Sequence, residues 1–184
     1  MDSTDQALIR RWQHGDAAAF EAIVRRWEGP VARFLARYGL GPEQTADGTQ
    51  DVFLRVYRAG PSYEPRASFS TWLFQIALNI ARDAARRRRP TAALDDCDPT
   101  DDADPSAAAI TRESATAVQQ ALAALPEPLR VVVVLRHYQG MSFEEMSGVC
   151  QAPASTLKSR FAAALERLRI LLGALKPDFE ESES

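Results

Sequence analysis

Apolar residues recur every three or four positions along most of the 184-residue chain, the period of a helix rather than of a strand. Leu8, Ile9 and Trp12 mark a first helix, which Gly15 ends. Asp16 can cap a second, on which Phe20, Ile23, Val24 and Trp27 form one stripe. Gly29-Pro30 predicts a break, after which Val31, Phe34, Leu35 and Tyr38 mark a third helix. Gly41-Pro42 opens a long helix, with proline in the first turn where its missing N–H costs nothing. Val52, Phe53, Val56 and Tyr57 are its expected buried side. A Pro/Gly-rich loop, "AGPSYEPRAS" (59–68), leads into "FSTWLFQIALNIARDAARRRR" (69–89). There Trp72, Leu73, Ile76, Ala77 and Ile80 face inward until Pro90 stops the helix.

The second half repeats the helical period. Val118, Leu122 and Leu125 form one stripe, and Pro126 and Pro128 interrupt and restart the chain. "RVVVVLRHY" (130–138) favours a strand by propensity. Its short length, the preceding proline and the stop at Gly140 between two helical patterns favour a helix instead. Ser142-x-x-Glu145 is a capping box that starts a short helix with Phe143, Met146 and Val149 on its apolar side. Cys150-Gln151-Ala152 reads as a turn, and Pro153 opens another helix. Leu157, Phe161, Ala164, Leu168 and Leu171 share one stripe of that helix; Ser155, Lys158, Ser159 and Ala162 lie opposite. A short helix, a tight turn and a helix with a small, polar, cationic face make a helix-turn-helix, whose second member fits the DNA major groove.

Charge divides the chain. Residues 1–89 carry 14 Lys/Arg against 10 Asp/Glu, and residues 90–115 carry one against seven. Residues 116–172 carry six against four, and the last twelve residues one against four. The Asp/Pro/Ala strip 90–111 has no apolar period, so it reads as a flexible acidic linker. The expected organisation is all-α: two small helical domains, 1–89 and 112–175, and an acidic tail, 176–184. Cations other than Lys158 and Lys176 are arginines, whose planar fork suits phosphate and carboxylate. No signal-peptide pattern is visible, and no apolar run approaches the roughly 20 residues that span a bilayer. Cys97 and Cys150 are too few for a disulfide framework or a zinc spacing, and His14 and His137 stand without partners at ligand spacing. No metal and no cofactor is implied. No nucleophile–base pair or phosphate-cradling glycine loop argues for an enzyme, so no catalytic residue is assigned. The chain reads as a cytoplasmic protein.

"QDVFLRVYR" (50–58) followed by "FSTWLFQIALNIARD" (69–83) resembles region 2 of the small bacterial sigma-70-family factors of the extracytoplasmic-function (ECF) group. "ALAALPEPLRVVVVL" and "GMSFEEMSGVCQAPASTLKSR" resemble that group's region 4. The resemblance implies a factor that directs core RNA polymerase to promoters, contacting its β′ clamp and β flap and reading -35 and -10 DNA. Asp47, Gln50, Asp51, Phe53 and Arg55 match the part that grips the clamp. Tyr63, the loop to Ser68, Phe69, Trp72 and Asn79 match the part that captures an unstacked -10 base. Arg82 and Arg86–Arg89 match the basic end that follows the backbone, and the linker would thread the polymerase channels. Ser155, Thr156, Lys158, Ser159 and Arg160 match the helix that reads -35, with Arg160 one residue round from the groove face. An anti-sigma protein is a further candidate partner, and the free factor is expected to be a monomer without membrane insertion.

Elementary chemistry fits each assignment. An extruded base needs aromatic rings to stack on and an amide for its edge, and cations hold the phosphates beside it. Trp72, at helical spacing with Leu73 and Ile76, reads as core more than as base platform and is expected half buried at best; Phe69 fits either role, and Trp12 and Trp27 read as core. The chain departs from the group at Ser147, usually Ala; at Gln151 and Ser155, usually Gly; and at Ala162 and Ala163, usually larger. Two readings from other classes stay open on the residues alone: a stand-alone helix-turn-helix regulator, and a scaffold for a protein partner.

Overall fold

A computed structural model describes residues 2–60, 63–64, 68–87 and 116–174. The linker 90–111 and the tail 176–184 lie outside the described residues, as do Arg66, Arg88 and Arg89. Every regular element among the described residues is a helix: α1 (Asp2–Gln13), α2 (Ala17–Tyr38), α3 (Pro42–Ala59), α4 (Phe69–Arg87), α5 (116–124), α6 (Glu127–Val133), α7 (Phe143–Cys150) and α8 (Ala154–Ala174).

The chain enters α2 through a clamped corner. Gly15 takes φ +93°, and Asp16 caps α2 by accepting from the Ala19 N–H at 3.3 Å. Arg11 donates to the Asp16 carboxylate at 2.7 and 2.9 Å, which holds that carboxyl below its ordinary range. Pro30 does not break α2, contrary to the pattern-based expectation of two helices. Ala19, Ile23, Val31, Phe34, Leu35 and Tyr38 form one buried stripe that runs through the proline without a change of phase. Burying that stripe outweighs the ~3 kcal/mol an internal proline costs. Asp5 is buried under Arg26, whose Nη1 stands 3.3 Å from its carboxylate, so α1 is pinned to α2 by charge as well as packing.

Gly41 caps α3 and Pro42 starts it, as the pattern implied. Val52, Phe53 and Val56 are buried, but Tyr57 is 57% exposed: at the rim it meets Phe20 edgewise and Trp12 at a 33° tilt instead of entering the core. The valine run is helical, and its end widens into a π turn over Val134–Tyr138, where the Gln139 N–H reaches the Val134 carbonyl at 3.2 Å. Val131 to Leu135 are all buried, and burial decides the conformation over propensity.

The capping box is formed: the Glu145 N–H donates to Ser142 Oγ at 3.1 Å and the Ser142 N–H to the Glu145 carboxylate at 2.8 Å. Gln151 closes α7 with φ 52° and ψ 45°, the left-handed conformation in which a side chain is strained. Ser147 braces the same turn by donating its hydroxyl to the Ala152 carbonyl at 2.7 Å. Gln151→Gly is expected to stabilise the fold by about 0.5–1 kcal/mol, the relieved strain less glycine's entropy, seen as a higher Tm.

The two helical units share one continuous core, with α4 as the shared wall. One side of α4 packs on α2 and α3, and another receives α7. Gly148 makes that approach possible, because a Cβ there would stand 2.7 Å from the Thr71 methyl. Arg82 of α4 binds Glu127 at the start of α6 at 3.0 Å. Arg130 donates to the Tyr38 carbonyl across the seam and to the Ala123 and Leu125 carbonyls at 2.9 Å within its own unit. Burial pushes that guanidinium's pKa down, with Tyr38 and Glu127 opposing the shift, and three carbonyls take its N–H groups.

Candidate nucleic-acid and polymerase interface

Three surfaces carry the residues singled out from the sequence. The first is the outer side of α3. Asp47, Gln50, Asp51 and Arg55 are all exposed there, at helical spacings that put them on one face. Phe53 does not belong to it: at 8% exposure its ring serves the core, because it shares the stripe of Val52 and Val56. Leu54 was missed from the sequence, yet it is 50% exposed among these charges, three residues after Asp51 and four after Gln50.

The second surface surrounds the start of α4. Tyr63 stacks on Trp72 with centroids 4.2 Å apart and planes 27° from parallel. Phe69 meets both rings edge-on, at 6.4 and 5.9 Å, and is itself only 1% exposed. Phe69 therefore cannot offer a face to a base and is corrected from platform to support: it is wedged between the outer pair and Trp27, 6.1 Å away. Trp72 is half buried. Asn79 is exposed two turns further on, as are Arg86 and Arg87 at the helix end. Arg86 pairs with Asp83, and Arg82 is held by Glu127. Ser68 Oγ accepts from the Thr71 N–H at 3.2 Å and so caps the first turn of α4.

The third surface is the start of α8. Ser155, Lys158, Ser159 and Ala162 are exposed, while Leu157 and Ala164 are buried, so the face opposite the core is small and polar. Thr156 and Arg160 are intermediate. Ser159 spends its proton on the Ser155 carbonyl at 3.1 Å. Lys158 Nζ lies 5.7 Å from the Phe143 ring centroid, and Arg136 lies 5.2 Å from the same ring. α7 and α8 with the left-handed turn at Gln151 form the helix-turn-helix. Among the described residues no group of His, Cys, Asp and Glu could hold a metal, and no helix is long and apolar enough to cross a membrane.

Comparison with known proteins shows the family. The family model for sigma-70 region 2 matches residues 23–91, and that for sigma-70 region 4 matches residues 115–168. The chain is 32% identical to the RNA polymerase sigma-H factor of Pseudomonas aeruginosa, over 89% of this chain and 91% of that protein. It is also 32% identical to the ECF RNA polymerase sigma-E factor of Escherichia coli K12, over 90% and 92%. The solved structure of CnrH in complex with the cytosolic domain of CnrY superposes with a TM-score of 0.74 over 93% of this chain and 98% of CnrH, at 27% identity. The sigma factor RpoE bound to the anti-sigma factor NepR from Bartonella quintana shares the fold, with a TM-score of 0.68 at 20% identity, over 84% of this chain and 96% of that one. The chain therefore belongs to the sigma-70 family and is an ECF-type sigma factor, a non-enzymatic protein that directs RNA polymerase in promoter-specific initiation.

Proposed function

We propose that the three surfaces divide the work of initiation among them, in a cytoplasmic protein. Asp47, Gln50, Asp51, Leu54 and Arg55 on α3 seat the β′ clamp of core RNA polymerase. Tyr63, Trp72 and Asn79 receive a base extruded from the -10 element, with Phe69 as their support and Arg82, Arg86 and Arg87 on the phosphates. Ser155, Thr156, Lys158 and Ser159 enter the major groove at -35, and Arg160 serves packing or phosphate. Residues 1–89 and 112–175 are the two working domains, joined by the acidic strip 90–111. A further protein that covers these surfaces would act as an anti-sigma factor; CnrH is itself solved in complex with a second protein, the cytosolic domain of CnrY.

The observation that carries this reading is the arrangement of α8: its first two turns expose small and cationic side chains and bury only Leu157. Such a surface admits a close approach to DNA and offers little to an apolar partner. Lys158→Ala is expected to weaken promoter binding by the holoenzyme and to lower the magnitude of the salt slope, d log K/d log[salt], by about one. Filter binding across a salt series measures both. An unchanged slope would remove Lys158 from the phosphate contacts.

The names of the two elements add a constraint. Positions -35 and -10 are separated by roughly 25 base pairs, about 85 Å of duplex at 3.4 Å per step. A compact chain of this length has a radius of gyration of about 16 Å. The closed body described here therefore has to part along the α4–α7 seam before both surfaces reach DNA.

A further inference from the structure

The end of α1 lies outside the segment matched by the region 2 model, and its last two residues grip the loop that carries Tyr63. Gln13 Nε2 donates to the Gly60 carbonyl at 2.8 Å and to the Tyr63 carbonyl at 2.9 Å. The Gly60 carbonyl also accepts from the Tyr63 N–H at 3.1 Å, so one amide ties together two residues that are already bonded to each other. Trp12 packs directly against Gly60: a Cβ at that position would stand 1.6 Å from its ring, which leaves room for no residue but glycine. Trp12 is fixed in turn by Phe20 at 4.7 Å and Tyr57 at 5.9 Å. The Arg11–Asp16 bridge and the left-handed Gly15 set the corner from which Gln13 reaches out.

The consequence falls on one ring pair. Tyr63 is held at its backbone by Gln13, and its ring lies on Trp72. The Gly60 and Tyr63 carbonyls both accept from this one α1 amide, which ties the backbone of the tyrosine to the end of α1. We propose that Gln13 is a positioning residue for capture of the -10 base, holding the Gly60–Tyr63 turn so that Tyr63 and Trp72 present a preformed stacking site. The proposal rests on the reading that these two rings serve the -10 element. It predicts a defect confined to opened DNA: paired promoter is gripped by α8 and the arginines, which Gln13 does not touch.

The test uses full-length protein with core RNA polymerase and a pool of duplexes carrying a randomised segment, enriched by the wild-type holoenzyme. The pool is prepared fully paired or pre-opened by mismatches over that segment. Gln13→Glu keeps the length but replaces the two N–H donors with acceptors facing two carbonyls, and Gln13→Leu removes them without charge. Both are expected to bind the pre-opened pool about five- to tenfold more weakly than wild type, since two neutral hydrogen bonds are lost. Both should bind the paired pool equally well. Gln13→Lys, which can still donate to both carbonyls, is expected to restore the wild-type preference, a rescue that a purely structural role for the glutamine would not show. Wild-type affinity of Gln13→Glu and Gln13→Leu for the pre-opened pool would overturn the inference. A wild-type holoenzyme that does not prefer pre-opened DNA would overturn the -10 assignment itself, and the inference with it.

Discussion

Asp51→Arg is expected to abolish co-elution of this sigma factor with core RNA polymerase while leaving its thermal unfolding unchanged. Asp51 is exposed at the middle of the outer face of α3, beside Gln50 and Leu54 and one turn before Arg55. Substitutions at such positions move stability by about 0.5 kcal/mol or less. At the centre of a protein interface a reversed charge costs several kcal/mol, which is more than a hundredfold in affinity. Phe53→Ala is a poor companion, although the family resemblance put Phe53 among the clamp-gripping residues. Its ring is in the core, and truncation there costs about 3–5 kcal/mol through the cavity it leaves. Leu54→Ala is the better second variant: the side chain is half exposed, so lost binding would report on the contact and not on folding. Sizing chromatography with core polymerase, paired with a melting curve, reads both quantities. Retained co-elution of Asp51→Arg would move the clamp contact elsewhere.

The second large effect concerns the seam. Gly148→Leu places a branched side chain where even a Cβ would meet the Thr71 methyl at 2.7 Å, so α7 has to leave α4. Inside α7 the change is favourable, because leucine outranks glycine by up to about 1 kcal/mol in a helix. Each unit should stay folded and the pair should open. Cys150 reports the event. In the closed body burial pushes its thiol up to about 11, with Arg82 of α4 among the charges that face it and Glu127 and Arg160 the others. Return toward the ordinary value of 9.0 raises the thiolate fraction at pH 8 about a hundredfold. The lower nucleophilicity of the less basic thiolate takes back roughly a factor of ten. With Cys97 replaced by alanine, alkylation of Gly148→Leu at pH 8 should therefore run about tenfold faster than that of the parent. The sign follows from the direction of the shift: the closed form is protected below its raised pKa, and the difference vanishes as pH rises through it. Equal rates would mean that α7 does not shield the thiol through its contact with α4.

How far the chain could be read from its sequence depends on whether the determinant is local. The capping box at Ser142 and Glu145, the Asp16 cap and the proline start of α3 were legible because each is written within four residues. Pro30 misled because the local signal of a breaker was countered by a stripe of six buried residues that only pays once α3 and α4 lie against it. The assignments of Phe53 and Phe69 erred for a related reason. A family motif marks positions, but whether an aromatic points outward depends on which neighbours cover it, and Trp27 and Trp72 cover Phe69. Gln151 shows the opposite case: the departure from glycine was visible in the sequence, and the left-handed φ states its physical meaning.

Long-range pairs left no trace in the pattern. The reach of Arg130 to the carbonyl of Tyr38, the Arg82–Glu127 bridge and the fit of Gly148 on Thr71 join residues 45 or more positions apart. Each looks ordinary alone. An arginine after a proline or a glycine inside a short helix acquires its role only when the second unit docks on α4. The same holds for Gln13, which reads as a polar residue at a helix end until the loop 47 residues later returns to it.

The most direct measurement adds the purified protein to core RNA polymerase with fragmented genomic DNA of its own source and maps the 5′ ends of the transcripts. The account predicts a small set of discrete start sites, absent with core alone and with the Asp51→Arg variant, each preceded by two shared motifs at a fixed spacing. Start sites that do not depend on the protein, while the protein alone shifts duplex DNA, would contradict it.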